Sequence, residues 1–485
     1  MCRMLFFGEN IPSRSFPSTF TQKLKLVDEV DSDINKMTAR YHGPLQFKIT
    51  LIGIVYLSCS LAAAEMEMDD TEEFTRPNIV AAGSKTFHWL CTLLLLLILP
   101  SISTCLTFAG KLYSSVFLQI ISTGYAVVEA LVLRFPDGDG HENRTSRGTA
   151  WFLAGLLVAT VFFGSLASGT GALVQNKKLQ SFISHTGEKT LNIIHRTLSF
   201  AVILTGWVKV CLAPVALFGF CRGKHTGQCI AHGVMGSSFV LYGFVYALVL
   251  VIPWIRNSQS SFTQDHIDSW VICIWGIVNT FTEHRWGREG WGHGDYQHTA
   301  MGIIWWAGGL LGIFLSRGGR RTFVPSLLII FTGWAMSEHT QHLLISTKVH
   351  ALFGLVLMSG GALRIVEISF LLRDQRTDTV IHSFQYLAPF CLVCSGILFM
   401  GANEEQLELV LRLGADHSAY ILVVISGAFL VYLWMLLCLE FYLKLVNTQE
   451  RLSIGDYSLV NRNRAVSEFE LDNVDELDEN EEIEV

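Results

Sequence analysis

Histidine side chains recur where the apolar segments of this chain end, and they are its strongest chemical signal. The set is His232, His284, His298, His339 and His350, with His342 beside them. Imidazole is the commonest side-chain ligand for transition metals and a frequent axial ligand of haem. Glu283 and Glu338 directly precede two of the histidines and could ligate the same ion or orient the rings. The pattern predicts a site for a transition metal or a single haem.

Two interpretations of these histidines remain open from the sequence. In the first, the five named rings bind a cofactor, and a metal ion in particular is held by His284, His298, His339 and His350 with Glu283 and Glu338. In the second, each ring lies at a membrane interface and bonds a loop carbonyl or water. The spacings match no zinc signature such as H-E-x-x-H. Five histidines at the same end of the apolar segments favour the binding site over separate interfacial rings.

The elements that position these residues follow from composition. Of 485 residues, 51% are hydrophobic and only 16% are charged, against roughly 25% charged in ordinary soluble domains. Apolar residues come in blocks of about 20, the length of a helix that crosses a bilayer. Because lipid offers no hydrogen-bond partner to an open backbone, the segments must be helical. The chain is predicted to be an all-α, polytopic helical membrane protein with the lipid bilayer as its partner.

About 11 transmembrane helices are expected. The segments are 88–108, 112–133, 149–173, 191–214, 229–253, 267–282, 298–316, 323–341, 347–371, 382–401 and 419–445. They divide into an N-terminal transmembrane bundle at 88–190 and a C-terminal transmembrane domain at 191–445.

The amino-terminal region has the pattern of a secretory signal peptide. Lys48 precedes an apolar run that ends in Ala62-Ala63-Ala64, and this predicts a cleaved signal at 47–64. Residues 1–46 are polar and form a disordered or wrongly assigned extension, with translation expected to begin at Met37. Residues 65–87 then form a lumenal segment. The alternative is a short first anchor helix.

A cleaved signal and eleven spans place the first span's start in the lumen and the C-terminus in the cytosol. On this count the sequon at Asn143 is lumenal and is expected to be glycosylated. Cys221 and Cys229 flank a second lumenal loop, where a disulfide is permitted. The same count puts the five histidines on the lumenal rim of the bundle.

The region 446–485 is predicted to be a cytosolic tail. From 468 to 485 it has ten acidic residues and no basic one, which is typical of a disordered, solvated segment. Without those ten carboxylates the formal net charge of −7 becomes +3. Tyr457-Ser458-Leu459-Val460 has the Tyr-x-x-apolar form of a sorting signal. The tail or this motif is expected to bind cytosolic sorting machinery.

Charged residues inside the predicted spans need partners, because a lone charge at membrane depth is costly. Arg364 and Glu367 are three residues apart, so they share a helix face and neutralise one another. Lys209 and Glu129 have no such local partner. A cross-helix ion pair is expected for them, and the alternative is a path for protons or ions.

Five short motifs carry a family resemblance. They are Gly227-Gln228-Cys229-Ile230-Ala231-His232, Asn279-Thr280-Phe281-Thr282-Glu283-His284, His298 before Trp305-Trp306-Ala307-Gly308-Gly309, Ser337-Glu338-His339-Thr340-Gln341 and Ser346-Thr347-Lys348-Val349-His350. Over about 190–445 the chain resembles the fungal Ytp-like family of membrane proteins. The resemblance implies that these histidines and Glu283 belong to the family pattern, whereas His342 does not. The resemblance implies a helical membrane architecture and does not indicate a particular activity.

The N-terminal bundle is more weakly similar to transmembrane cytochromes b, which hold two haems. Here the first span offers only His88, and His195 has only His185 near it as an axial partner. Two haems need an axial pair near each membrane face. The sequence therefore argues against a cytosolic haem and leaves a single lumenal site.

Three functions remain open at this stage, and the sequence does not decide whether the protein is an enzyme. The first is a secretory-pathway membrane protein with a metal-handling or redox role at the lumenal rim. The second is a transporter that uses the intramembrane Lys, Glu and Arg residues. The third is a non-catalytic trafficking or scaffold protein. We expect the endoplasmic reticulum or Golgi, with the vacuole or plasma membrane as alternatives, and no nucleic-acid partner.

Overall fold

The computed structural model describes residues 82–132, 144–169, 183, 185–221, 225–256, 262–282, 284, 290–338, 343–372 and 381–448. Several predicted features lie outside this part of the chain. They are the signal peptide at 47–64, Asn143, Glu283, His339, His342 and the motif at Tyr457.

Twelve principal helices follow one another along the described chain. They are α1 (Gly83–Phe108), α2 (Leu112–Val132), α3 (Arg144–Ser168), α4 (Glu188–Phe218), α5 (Thr226–Val251), α6 (Gln264–Thr282), α7 (His293–Leu315), α8 (Val324–Ser337), α9 (Leu344–Val366), α10 (Leu387–Met400), α11 (Glu404–Arg412) and α12 (His417–Thr448). Short 3-10 and π-helical turns extend some of them. The predicted all-α membrane fold is confirmed.

Each of the eleven predicted spans overlaps one of these helices. By length and apolar composition, nine helices of the described chain can cross a membrane. The two weaker ones are α6, with 19 residues, and α8, with 14. Asp265 and Asp268 lower the hydropathy of α6, and both are buried. At 1.5 Å per residue α8 is about 21 Å long, shorter than the roughly 30 Å hydrocarbon core.

Helices α5 to α10 are arranged in pairs that are in close contact. Helices α6 and α7, α8 and α9, and α5 and α10 form pairs, and α9 also packs on α10. A Cβ atom at Gly354 of α9 would lie 2.2 Å from the carbonyl oxygen of Gly333 in α8. One at Gly396 of α10 would lie 2.4 Å from the carbonyl oxygen of Gly236 in α5. Glycine lets these backbones touch, as is usual where membrane helices associate.

Both predicted intramembrane ion pairs are present. Lys209 Nζ of α4 lies 3.0 Å from Glu129 Oε1 of α2, which confirms the cross-helix pair. Arg364 Nη1 lies 2.6 Å from Glu367 Oε2, which confirms the pair within one helix turn. Arg364 Nη2 also reaches Asp265 Oδ1 of α6 at 3.2 Å. Buried charge therefore links helices in both halves of the molecule.

A disulfide joins Cys221 to Cys229, with their Cα atoms 5.5 Å apart, just before and inside the start of α5. Cys221 has a left-handed backbone with φ 70°. Its N–H donates to Glu405 Oε2 at 2.6 Å. The loop that precedes His232 is thereby tied to α11.

Candidate functional site

Two of the predicted histidines meet between α5 and α9. The rings of His232 on α5 and His350 on α9 have centroids 5.9 Å apart and lie nearly perpendicular. Both residues are buried, at 8% and 2% exposure. Phe399 of α10 stacks on His232 with centroids 4.4 Å apart and meets His350 edge-on at 6.2 Å. Three separate helices therefore position the pair.

Hydrogen bonds fix the protonation of both rings. His232 Nδ1 lies 2.8 Å from the carbonyl oxygen of Gln228, and His350 Nδ1 lies 2.8 Å from that of Ser346. A carbonyl only accepts, so each Nδ1 carries the hydrogen. In a neutral ring the lone pair then lies on Nε2. Metal-bound histidines commonly have this arrangement, with the second ring nitrogen donating to a carbonyl or carboxylate.

A second histidine group lies between α6 and α7. His284 Nδ1 is 3.3 Å from Asp295 Oδ2, and the His284 ring stacks on Trp291 with centroids 4.1 Å apart. The same Asp295 oxygen accepts from the Gly292 N–H at 2.8 Å, at the start of α7. His298 lies one turn further along α7.

Sequence reasoning missed Asp295. The signal was available, because an acidic residue three positions after Gly292 is the pattern of a helix N-terminal cap. Asp295 is also only eleven residues after His284, so its carboxylate could have been expected to orient the His284 ring.

The predicted ligands are only partly brought together. Within the part of the chain that the structure describes, no three His, Cys, Asp or Glu side chains are grouped so as to hold a metal ion. His284 pairs with Asp295, whereas His350 pairs with His232. Glu338 is exposed at the end of α8. With Glu283 and His339 outside the described residues, one ion shared by the predicted set stays a prediction.

The ring geometry bears on which atoms could coordinate a ligand. Phe399 covers one face of His232 and the edge of His350. Coordination by either ring would use Nε2, in the plane of the ring, because each Nδ1 carries the hydrogen.

Comparison with known proteins places the chain among fungal membrane proteins. The family model described as "Protein YTP1-like, C-terminal" matches residues 205–443. "Protein YTP1" of Saccharomyces cerevisiae is 71% identical over 421 residues, which cover 87% of this chain and 92% of that protein.

Two more distant relatives are also named as membrane proteins. An uncharacterized membrane protein of Schizosaccharomyces pombe is 26% identical over 289 residues, covering 50% of this chain and 56% of the relative. A second one, from Saccharomyces cerevisiae, is 23% identical over 294 residues, covering 49% and 46%. No solved structure matches the chain.

Proposed function

The chain belongs to the YTP1-like family of membrane proteins, and we propose that it binds a transition-metal ion at a His-rich rim in a metal-handling or redox role. His232 and His350 are the central ligands. The protein is a multi-pass membrane protein of the secretory pathway, with the rim in the lumen and the C-terminus in the cytosol.

The observation that carries this proposal is the shared arrangement of the two rings. Each Nδ1–H donates to the carbonyl oxygen four residues earlier in its own helix, so each ring is oriented and keeps its lone pair on Nε2. The rings lie on α5 and α9 and are locked against Phe399 of α10. Ligands held in place before the ion arrives lose little freedom on binding. Two imidazoles alone rarely complete a site, so further ligands are needed.

The remaining ligands come from the predicted set. His339 lies between α8 and α9, which pack together, and His350 is in the second turn of α9. We therefore assign His339 as the next ligand, with Glu338 beside it. We assign His284, His298 and Glu283 to a second part of the rim, where Asp295 Oδ2 lies 3.3 Å from His284 Nδ1.

The lumenal placement has its own support. The predicted signal peptide at 47–64, the sequon at Asn143 and the Cys221–Cys229 disulfide all fit an extracytosolic rim. Disulfides persist in oxidising compartments and are rare in the cytosol. The endoplasmic reticulum or Golgi is the compartment we assign.

The test is the metal content of the purified protein. The full chain is purified in detergent without chelator, and bound elements and the visible haem absorbance are measured. His232→Ala and His350→Ala are each expected to lose the ion. Glu338→Gln is expected to weaken metal affinity less, on the order of 10–100-fold.

His266→Ala is the matched control. This buried histidine lies at the start of α6, where its Nδ1 bonds Ser316 Oγ at 2.7 Å. Its loss should cost about 1–3 kcal/mol of stability through the lost partner and leave the metal content unchanged. A wild-type protein without stoichiometric metal or haem would overturn the proposal and leave the trafficking and transporter functions. Haem absorbance in the purified protein would mean that the site binds a single haem and not a metal ion.

A further inference from the structure

The interior of the four helices α1 to α4 contains polar side chains as well as an aliphatic core. Helix α2 buries Ser115, Gln119, Ser122 and Glu129 on one face, each at most 2% exposed. At 1.5 Å per residue this face extends about 21 Å, most of the roughly 30 Å hydrocarbon core. Buried amides and carboxylates in membrane helices are rare and usually functional. The polar residues form two clusters, one at each end.

The first cluster surrounds Glu129, which is 1% exposed. Its Oε1 lies 3.0 Å from Lys209 Nζ, 3.0 Å from His88 Nε2 and 3.5 Å from Thr92 Oγ1. His88 Nδ1 in turn lies 3.2 Å from Tyr125 Oη. The His88 side chain is 27% exposed, so it links the buried carboxylate to the surface at this end.

The second cluster surrounds Gln119 and His195. His195 Nε2 lies 3.0 Å from Gln119 Oε1, and Gln119 Nε2 donates to Ser199 Oγ at 3.1 Å and Ser115 Oγ at 3.2 Å. Ser115 continues to Thr107 Oγ1 at 2.6 Å. These groups lead from the middle of the unit towards its other end.

The protonation of His195 follows from its partner. Gln119 Nε2 already donates twice, so Oε1 faces the ring and accepts, and His195 Nε2 carries the hydrogen. Its Nδ1 is then a proton acceptor, and it has no hydrogen-bond partner among the described residues. The ring is fully buried and packs against Gly164 of α3, where a Cβ atom would lie 2.7 Å from Nε2. The neighbouring Arg196 lies over the Phe108 ring at 5.8 Å.

An apolar layer separates the two clusters. Leu96, Ala126, Leu157 and Val202 are all buried there, one from each helix. Beside this layer Ser103 and Ser122 line a narrow space that is too small for a water molecule. Neither hydroxyl has a hydrogen-bond partner in the described part of the chain. Each unsatisfied hydroxyl costs free energy. The two hydroxyls therefore destabilise the closed arrangement relative to an open one in which water hydrogen-bonds to them.

The backbone is irregular at this layer. Helix α1 forms a π-helical turn at Leu94–Ile98, which contains Leu96, and Pro100 follows in the next turn. π-Helical turns weaken the regular ladder and are frequent at functional sites. A Cβ atom at Gly206 of α4 would lie 2.1 Å from the Leu96 carbonyl oxygen. Helices α1 and α4 therefore touch through their backbones at the level of this layer.

We propose that α1 to α4 form a gated proton path, with Glu129 and His195 as proton-carrying groups and the apolar layer as the gate. A proton from water at the His88 end binds the Glu129 carboxylate. When the layer opens, water admitted beside Ser103 and Ser122 carries that proton to His195 Nδ1. The imidazolium then releases one proton to water at its own end. One proton enters and one leaves, and no electron moves.

The experiment measures proton flux through the full-length protein in liposomes. A potassium diffusion potential drives the flux, and an internal pH-sensitive dye reports it. Wild type is expected to conduct above protein-free liposomes. Glu129→Gln and His195→Gln should fall to the protein-free level, because neither side chain can then carry a proton. Ala126→Ser adds a hydroxyl to the gate and should raise the flux.

Thr197→Val is the control for a change in α4. Thr197 is exposed on α4. Within the described chain its hydroxyl donates only to the Ile193 carbonyl oxygen, at 2.9 Å. The Thr197→Val protein should therefore show the same proton flux as wild type. Flux in Ala126→Ser that Glu129→Gln abolishes supports the path even where the wild type is tightly closed. Absence of flux in both wild type and Ala126→Ser overturns it. So does a Glu129→Gln protein that conducts like wild type, or an equal loss in Thr197→Val.

Discussion

Arg364 is a buried cation whose hydrogen bonds come from two helices. Besides Glu367 and Asp265, its Nη2 lies 3.2 Å from Gln264 Oε1, and the guanidinium lies 5.3 Å from the centre of the Tyr246 ring. Gln385 Nε2 donates to Glu367 Oε1 at 3.0 Å. A buried ion pair needs further hydrogen bonds to offset the desolvation of its charges. Both terminal nitrogens of Arg364 have such partners, whereas its Nε and Asp265 Oδ2 have none in the described chain. The cluster joins α6 to α9.

Replacing Arg364 by Met should therefore be strongly destabilising. The change removes the charge and leaves Glu367 as a buried carboxylate without its cation. Among the described residues Asp265 keeps only Arg321, whose Nη1 lies 3.6 Å from Oδ2. The expected loss is about 3–5 kcal/mol in the free energy of unfolding. Denaturant unfolding in detergent, followed by intrinsic fluorescence, measures it.

Arg412→Met provides the matched control for this change. Arg412 pairs with Glu408 on the exposed face of α11, where both side chains are about half exposed. Exposed pairs contribute little because water screens them, so this variant should unfold like wild type. Equal stability of Arg364→Met and Arg412→Met would contradict a structural role for the buried cluster.

At the scale of elements, the contact between α8 and α9 depends on glycine. Gly333 and Gly354 face each other across it, and neither backbone leaves room for a side chain. Because His350 is one turn before Gly354 on α9, this contact also sets the position of the His232–His350 pair.

Gly354→Ala should separate α8 from α9. The new methyl group would lie 2.2 Å from the Gly333 carbonyl oxygen and 3.0 Å from the Ser337 nitrogen. Overpacking of this kind typically costs about 1–3 kcal/mol. Thermal unfolding in detergent measures the loss, and the metal content of the same protein should fall with it.

Gly427→Ala is the control on α12. Nothing lies within 4 Å of a Cβ atom built at Gly427, and alanine is the better helix former. This protein should be at least as stable as wild type. If Gly354→Ala is tolerated equally well, the close contact of α8 with α9 is not required.

At the scale of the whole molecule, the membrane part and the tail are expected to be independent. The ten acidic residues after 467 cannot bury enough apolar surface to fold alone. Deleting 465–485 should leave the protein membrane-inserted, with an unchanged unfolding temperature. Aggregation or loss of expression on truncation would indicate a tail that docks on the helices.

Orientation in the membrane is a second property of the whole molecule. A cleaved signal and eleven spans require a lumenal Asn143 and a cytosolic C-terminus. Endoglycosidase treatment should increase the electrophoretic mobility of the wild-type protein but not that of the Asn143→Gln protein. Protease added to intact microsomes should remove the tail. A shift that persists in Asn143→Gln, or a protected tail, contradicts this orientation.

The sequence alone determined the class of fold and the placement of its helices. Lipid leaves the backbone only one way to satisfy its hydrogen bonds in such segments, so each apolar block becomes a helix. It also determined the Arg364–Glu367 pair, because residues three apart on a helix share a face. These are local consequences of periodicity and need no knowledge of neighbours.

Only the tertiary structure decided which side chains meet across helices. The predicted metal set grouped His350 with His284 and His298, whereas the structure pairs His350 with His232 and His284 with Asp295. The sequence expected a cross-helix partner for Glu129, but the roles of His88 and of the Gln119–His195 contact appeared only in the folded bundle. Helices in lipid choose neighbours by close backbone contact at small residues and by hydrogen bonds between distant segments. A local pattern does not encode that choice, because it depends on how all the helices pack at once.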